Sequence, residues 1–138
     1  MCIFRSLSVW SVSRKKPVCL RRDAHTLPNG EECWISALAT LPYTDLVASG
    51  SRDGYVKLWE CSADYKSLNL LHELKVSGFI NSLAFTPDAS QLVCAVGQEH
   101  KNGRWWRDKS ARNCILLIPL LRSKEVAQMH RETEHIAA

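Results

Sequence analysis

His25, Ser49 and Asp53 are the three residue types of a hydrolase triad, in which an imidazole oriented by a carboxylate takes the proton of a serine hydroxyl. The serine lies in the run Val47-Ala48-Ser49-Gly50-Ser51, which lacks the Gly-x-Ser-x-Gly elbow that lifts a nucleophilic serine clear of its strand. The same three types also serve one another structurally. A buried aspartate needs donors, and leaving it unpaired costs about 1 to 3 kcal/mol or more. Structure rather than hydrolysis is therefore the expected role. A second constellation lies at Val96 to Asn113 (VGQEHKNGRWWRDKSARN), where Lys101, Arg104, Arg107, Lys109 and Arg112 are interleaved with Trp105 and Trp106. Cations beside exposed aromatics suit RNA, through phosphate contacts and base stacking. Adjacent strand residues point to opposite faces, so one of the two tryptophans is expected to pack inward, and scattered arginines also serve simply to solvate a rim.

These residues need elements to hold them. Asp45 to Cys61 reads DLVASGSRDGYVKLWEC, two short apolar runs around Arg52-Asp53-Gly54. Asp-Gly between β-prone residues is a strong hairpin signal, because glycine accepts the positive φ of a tight turn. The unit recurs: Trp34 to Ala39 (WISALA) is echoed by Phe79 to Ala84 (FINSLA), and Leu46-Val47-Ala48 by Leu92-Val93-Cys94. Ile35 to Ile80 is 45 positions, Leu46 to Leu92 is 46, Trp59 to Trp106 is 47, and Trp10 precedes Trp59 by 49. Short strands repeating every 40 to 50 or so residues are the mark of propeller blades.

The hairpin and its Leu58-Trp59 resemble the b–c hairpin of a WD repeat, with Glu60 where the family's Trp-Asp dipeptide has aspartate. The resemblance implies a structural tetrad of His25, Ser49, Asp53 and Trp59, linked by hydrogen bonds. The expected fold is all-β: a WD40-repeat β-propeller portion of about two and a half four-stranded antiparallel blades, with the ring not closed. Residues 1–24 are read as strands c and d of a truncated blade, 25–75 as a complete repeat, 76–121 as a last, degenerate repeat, and 122–138 as a polar tail, a frayed helix or disordered. In the last repeat, Phe79 to Phe85 is read as strand a, Gln91 to Val96 as b, Arg104 to Arg107 as c and Cys114 to Leu121 as d. That repeat lacks the tetrad: His100 falls where Asp53 sits, Val96 where Ser49 sits, and no histidine precedes Phe79 at the matching distance.

Composition narrows the function classes. With 138 residues, 46% apolar content and five tryptophans the chain is not of a disordered type, and a net charge of +4 permits an RNA or acidic partner without requiring one. Because blades bury their apolar faces against neighbours, this length of chain is expected to be modestly stable by itself. The six cysteines form no Cys-x-x-Cys pair, and several sit in apolar runs, so buried reduced thiols are expected. Cys19, His25 and Cys33 fit no zinc spacing, so no metal and no cofactor is expected. Residues 1–12 do not read as a signal peptide, and no uncharged apolar run of about 18 residues suggests a membrane span. A soluble intracellular protein without a small-molecule substrate is the expectation.

GQEH followed by GRWWR, ARN and an IPL strand closely resembles the C-terminal end of the WD-repeat proteins that interact with U3 small nucleolar RNA. SRKKP, WIS, TDLVASGS and GFINSL agree, so the resemblance covers about Ser11 to Leu121. It implies a non-enzymatic component of the U3 box C/D small nucleolar ribonucleoprotein in the nucleolus. Such a component binds U3 RNA beside a small kink-turn-binding protein and neighbouring subunits of the small-subunit processome, in pre-rRNA cleavages leading to 18S rRNA. The candidate RNA-binding residues are Lys101, Arg104, Trp105, Arg107, Lys109 and Arg112. The alternative is a WD-repeat protein-interaction scaffold, such as a ligase substrate receptor, without RNA contact.

Overall fold

A computed structural model describes residues 5–121; the expected tail at 122–138 lies outside them. Eleven strands follow one another without a helix among the described residues: β1 (Leu7–Val9), β2 (Cys19–Arg21), β3 (Ala37–Thr40), β4 (Leu46–Gly50), β5 (Tyr55–Cys61), β6 (Leu68–Lys75), β7 (Phe79–Phe85), β8 (Gln91–Gly97), β9 (Glu99–His100), β10 (Gly103–Arg107) and β11 (Cys114–Pro119). All pairings are antiparallel, in a two-stranded β1-β2 ribbon, a four-stranded sheet β3-β4-β5-β6, a three-stranded sheet β7-β8-β11, and a two-stranded β9-β10 ribbon. They do not close into a ring.

The central hairpin forms where Asp53-Gly54 directs it. Gly54 takes φ +81°, and Asp53 Oδ1 accepts the Tyr55 backbone N–H at 3.2 Å. An aspartate that folds back on its own turn in this way holds the register that the glycine permits. On the flanking strands the period-2 pattern turns Ala48, Val56 and Leu58 into one face, where they meet Ile80, Leu83, Leu92 and Cys94 of the following sheet. That is the main core. A second cluster packs Leu7, Cys19 and Ala24 against Trp59, Cys61 and Leu68, tying the β1-β2 ribbon to the four-stranded sheet.

At the join of the two larger sheets the backbones come unusually near. A side chain at Gly50 would overlap that of Ile80, which is fully buried. Ser51 O accepts the Ile80 N–H at 3.1 Å, and Ser36 Oγ donates to Ile80 O at 2.5 Å. Here glycine is required by space, not by φ.

The last sheet differs from the sequence expectation. Arg104 to Arg107 does not form its third strand; β11 does, pairing with β8 from Cys114↔Val96 to Pro119↔Gln91. Burial of β8 explains the choice. Leu92, Cys94 and Val96 share its buried face, and β11 sets Ile118, Leu116 and Cys114 opposite them. Leu116 and Ile118 pack on the core, whereas GRWWR would have brought arginines to the sheet. The segment from β9 to β10 is thus an inserted ribbon between strands b and c. The Trp59 to Trp106 interval is a coincidence of spacing. Trp10 likewise does not stand in for Trp59: it is 59% exposed and donates only to Ser8 Oγ, at 2.9 Å.

The five described cysteines are free thiols, four buried and Cys114 exposed. Burial raises the Cys33 and Cys61 thiols and pushes Cys94 up to about 11. Because the thiolate is the reactive species, brief alkylation near pH 8 followed by peptide mapping is expected to label Cys114 well before Cys33 or Cys94. Equal labelling would contradict the buried placement.

Candidate functional site

The structure brings His25, Ser49, Asp53 and Trp59 together. His25 precedes the sheet, with the bridge Thr26↔Glu32 and the bond from Cys33 N–H to His25 O folding its loop over the hairpin. His25 Nδ1 lies 2.7 Å from Asp53 Oδ2 and its Nε2 lies 2.8 Å from Ser49 Oγ, while Trp59 Nε1–H donates to Ser49 Oγ at 2.8 Å. The partners assign the protons. An ionised carboxylate only accepts, so Nδ1–H donates to Asp53; Nε2 then accepts from the Ser49 hydroxyl, whose oxygen takes the indole N–H. The chain of donors runs Trp59, Ser49, His25, Asp53. It has the connectivity of a hydrolase triad, but Ser49, His25 and Trp59 are at most 1% exposed, and the serine oxygen is occupied by the indole. No substrate carbonyl reaches it. What the arrangement does is hold the loop, strand b, the turn and strand c in one register.

The second constellation occupies the inserted ribbon and the turn after it. Asn81 of β7 anchors the ribbon: its amide donates to Glu99 O at 3.0 Å and its carbonyl accepts the Lys101 N–H at 3.0 Å. Asn113 Oδ1 accepts the Gln98 N–H at 2.8 Å from the other side. Asp108 caps the turn by accepting from Ser110 N–H and Oγ–H, and those bonds hold its carboxyl below the usual range.

The six RNA candidates separate into groups. Trp105 is 65% exposed, while Trp106 is half-buried against Trp34, with ring centroids 5.4 Å apart. The two rings do not part to opposite faces as on a regular strand: their centroids are 6.3 Å apart and both meet Trp34, because the pairing of β10 with β9 shifts register between Gly103 and Arg107. Arg104 and Arg107 share the carboxylate of Glu99, at 3.1 Å and 3.7 Å, and Arg107 also donates to Gln98 Oε1. Lys101, Lys109 and Arg112 are exposed and make no ion pair among the described residues. These three present undivided charge, whereas Arg104 and Arg107 are engaged across the ribbon.

Residues not singled out by the sequence complete the site. Trp34, from the preceding repeat, meets His100, Trp105 and Trp106 edge-to-face, and Phe79 meets His100 at 6.2 Å. Arg52 lies over the Trp106 ring at 4.4 Å from its centroid and pairs with Glu31. A cation–π contact of a partly desolvated arginine contributes about 0.5 to 2 kcal/mol. His100, read from sequence as a departure from the tetrad, is buried at the centre of this aromatic group. The only sequence cue to Arg52 was its place beside the hairpin turn, and Glu99 could be matched to Arg104 and Arg107 only once Gly97 to Gly103 was recognised as the start of a ribbon.

Among the described residues, no group of three or more His, Cys, Asp or Glu side chains is placed to hold a metal ion. Cys19, His25 and Cys33 serve packing and the buried hydrogen-bond chain.

Comparison with known proteins places the architecture. Residues 21–60 match the family described as WD domain, G-beta repeat. The chain is 48% identical over 121 residues to the human (Homo sapiens) U3 small nucleolar RNA-interacting protein 2, covering 85% of this chain and 26% of that protein. It is 28% identical over 143 residues to ribosomal RNA-processing protein 9 of Saccharomyces cerevisiae, covering 80% of this chain and 25% of that one. It thus spans about a quarter of the length of these curated relatives. Of solved structures, it superimposes with TM-score 0.82 and 45% identity on the WD40 repeats of RRP9, and with TM-score 0.80 and 44% identity on U3-55K, in each case over 86% of this chain and 37% of the other. The fold is that of WD40 repeats, and the homologues are proteins of the U3 small nucleolar ribonucleoprotein and of ribosomal RNA processing.

Proposed function

We propose, from this chain's kinship with the WD-repeat proteins of U3 ribonucleoprotein and ribosomal RNA processing, that it is a non-catalytic, RNA-binding element of the U3 box C/D small nucleolar ribonucleoprotein. It acts in the nucleolus in pre-rRNA processing toward 18S rRNA, among neighbouring box C/D and small-subunit processome proteins. The observation that carries the RNA contact is the inserted ribbon. It is inserted between β8 and β11, and with the turn after it carries five cations against the two carboxylates Glu99 and Asp108. An exposed Trp105 is available for stacking at the same place. The sealed state of Ser49 supports a role without catalysis.

The parts of the ribbon divide the work. Lys101, Lys109 and Arg112 meet phosphates; Trp105 stacks a base; Arg104 and Arg107, braced by Glu99, keep the ribbon in shape and offer their remaining donors. Phosphate contacts release counterions, so affinity falls with salt at a slope of roughly −0.7 to −0.9 per contact. In filter binding of U3 RNA to the full chain, K101E/K109E/R112E is expected to reduce affinity at least tenfold and flatten the salt slope by about two. Arg104→Gln, whose charge is already shared, is expected to cost no more than about threefold. An unchanged slope in the triple variant, with folding intact, contradicts the assignment and favours a protein-interaction scaffold.

A further inference from the structure

The three cations that make no ion pair among the described residues stand on two separate turns, Lys101 at the tip of the β9-β10 ribbon and Lys109 and Arg112 on the turn after it. Two amide side chains bracket those turns. Asn81, in β7, donates to Glu99 O at 3.0 Å and accepts the Lys101 N–H at 3.0 Å, so it fixes the backbone on both sides of His100. The next N–H, of Asn102, goes to His100 Nδ1 at 3.1 Å. Gln98 does the same for the second turn. Its backbone carbonyl accepts the Asp108 N–H at 2.8 Å and its Nε2–H donates to Ala111 O at 2.7 Å, the two ends of a loop that carries Lys109 and leads into Arg112. Gln98 is itself held, by its N–H on Asn113 Oδ1 at 2.8 Å and by its Oε1 accepting from Arg107 at 3.3 Å.

These bonds lie outside the two apolar clusters, and β7, β8 and β11 are joined by ladders of their own. The β9-β10 ribbon, by contrast, forms a separate sheet. Asn81 ties its tip to β7, while Gln98 ties the following turn to the residue between β8 and β9. What the amides add is a fixed relation between two basic turns that no ladder joins. A loop that must be ordered on binding loses affinity for the freedom it gives up, and a loop already held does not. Side chains locked by hydrogen bonds on rigid strands are the means by which a binding surface is held ready.

We propose that Asn81 and Gln98 are positioning residues for RNA: they set the Lys101 turn and the turn at 108–112 at one spacing before RNA arrives, so that one RNA meets both. Neither amide needs to touch the RNA. This inference rests on the RNA-binding reading above and adds to it the residues that act through the cations.

The test measures U3 RNA binding to the full chain over a range of salt for the unsubstituted protein, N81A/Q98A, K101E/K109E/R112E and the variant combining both sets. N81A/Q98A is expected to bind about tenfold more weakly with an unchanged salt slope, because the phosphate contacts are still made but the turns must be ordered to make them. Its urea midpoint is expected to stay close to that of the unsubstituted chain, since both apolar clusters are left intact. In the K101E/K109E/R112E background the same pair is expected to cost no more than about twofold, because the amides act through those cations. A merely structural role would lower binding by the same factor in both backgrounds, and that result overturns the proposal. Should N81A/Q98A not fold, amide hydrogen exchange on the unsubstituted chain decides: the Lys101 and Asp108 N–H groups are expected to be protected before RNA is added. Fast exchange at both, slowed only by RNA, would mean that RNA orders the turns and overturns the proposal. Absence of U3 RNA binding by the unsubstituted chain removes this inference together with the reading on which it rests, whereas binding that N81A/Q98A does not weaken removes this inference alone.

Discussion

Asp53→Ala is expected to lower the unfolding free energy by about 3 to 5 kcal/mol, because it removes hydrogen bonds to a buried carboxylate, worth about 1.5 to 3 kcal/mol, and leaves a buried donor unsatisfied at a further cost of about 1 to 3 kcal/mol. Both carboxylate oxygens are in use, Oδ2 on His25 Nδ1 at 2.7 Å and Oδ1 on the Tyr55 N–H at 3.2 Å. Truncation leaves a fully buried imidazole N–H without an acceptor and frees the turn that sets strand register. Because the donors are chained, the loss passes to Ser49 and Trp59 rather than stopping at His25. Against total stabilities of about 5 to 15 kcal/mol, the change is large. Urea unfolding of the two chains should show a shifted midpoint with an unchanged slope. Ser49→Ala, by contrast, removes a neutral hydroxyl and orphans only the indole N–H and one imidazole nitrogen, so it should cost less, about 1 to 3 kcal/mol. Reversal of that order would mean that the tetrad is not the anchor of the hairpin.

Gly50→Val is the second large effect. The residue is in β4, its Cβ position is already filled by the Ile80 side chain, and Ile80 is fully buried with both backbone groups bonded to Ser36 and Ser51. Neither side can retreat cheaply. Overpacking of this kind costs typically 1 to 3 kcal/mol and occasionally more; with two strands pinned at the contact, about 3 kcal/mol or above is expected. Ile80→Ala alone opens a cavity and costs about 2 to 5 kcal/mol. The informative result is the pair. In G50V/I80A the new valine enters the space that the isoleucine vacates, so the double variant should be more stable than the sum of the two losses implies, by at least about 1 kcal/mol. Strict additivity would show that Gly50 and Ile80 are not in contact at the join of the sheets.

Much of this was legible before any coordinates. Asp53-Gly54 located a hairpin because few residues tolerate its geometry, and the repeated WISALA and FINSLA runs located the strands that enter each sheet. His25, Ser49, Asp53 and Trp59 could be grouped because their donor and acceptor types complement one another. The last repeat was harder. Trp106 falls at the distance from Trp59 that a strand-c residue would occupy, and only the buried face of β8, which calls for Leu116 and Ile118 opposite Cys94 and Leu92, decides for β11. Glu99's pairing with Arg104 and Arg107, and the stacking of Arg52 on Trp106, depend on the ribbon folding back and on two repeats meeting. Nothing local encodes them. For the same reason His100 read as a lost tetrad member, when its burial beside Trp34 and Phe79 gives it surroundings of its own.

The candidate RNA interface also changes in emphasis. From sequence, all five cations of the ribbon and its turn were equivalent. In the fold, two are drawn to one carboxylate, and the charge available to a polyanion concentrates at Lys101, Lys109 and Arg112.

The central claim, that this chain engages U3 RNA through the ribbon, is tested most directly by crosslinking the tagged chain to RNA in cells, purifying it and sequencing what is bound, with K101E/K109E/R112E in parallel. The account predicts enrichment of U3 over other box C/D RNAs for the unsubstituted chain, and loss of that enrichment in the triple variant at equal protein level. Enrichment of no RNA, or equal enrichment in both chains, would contradict it.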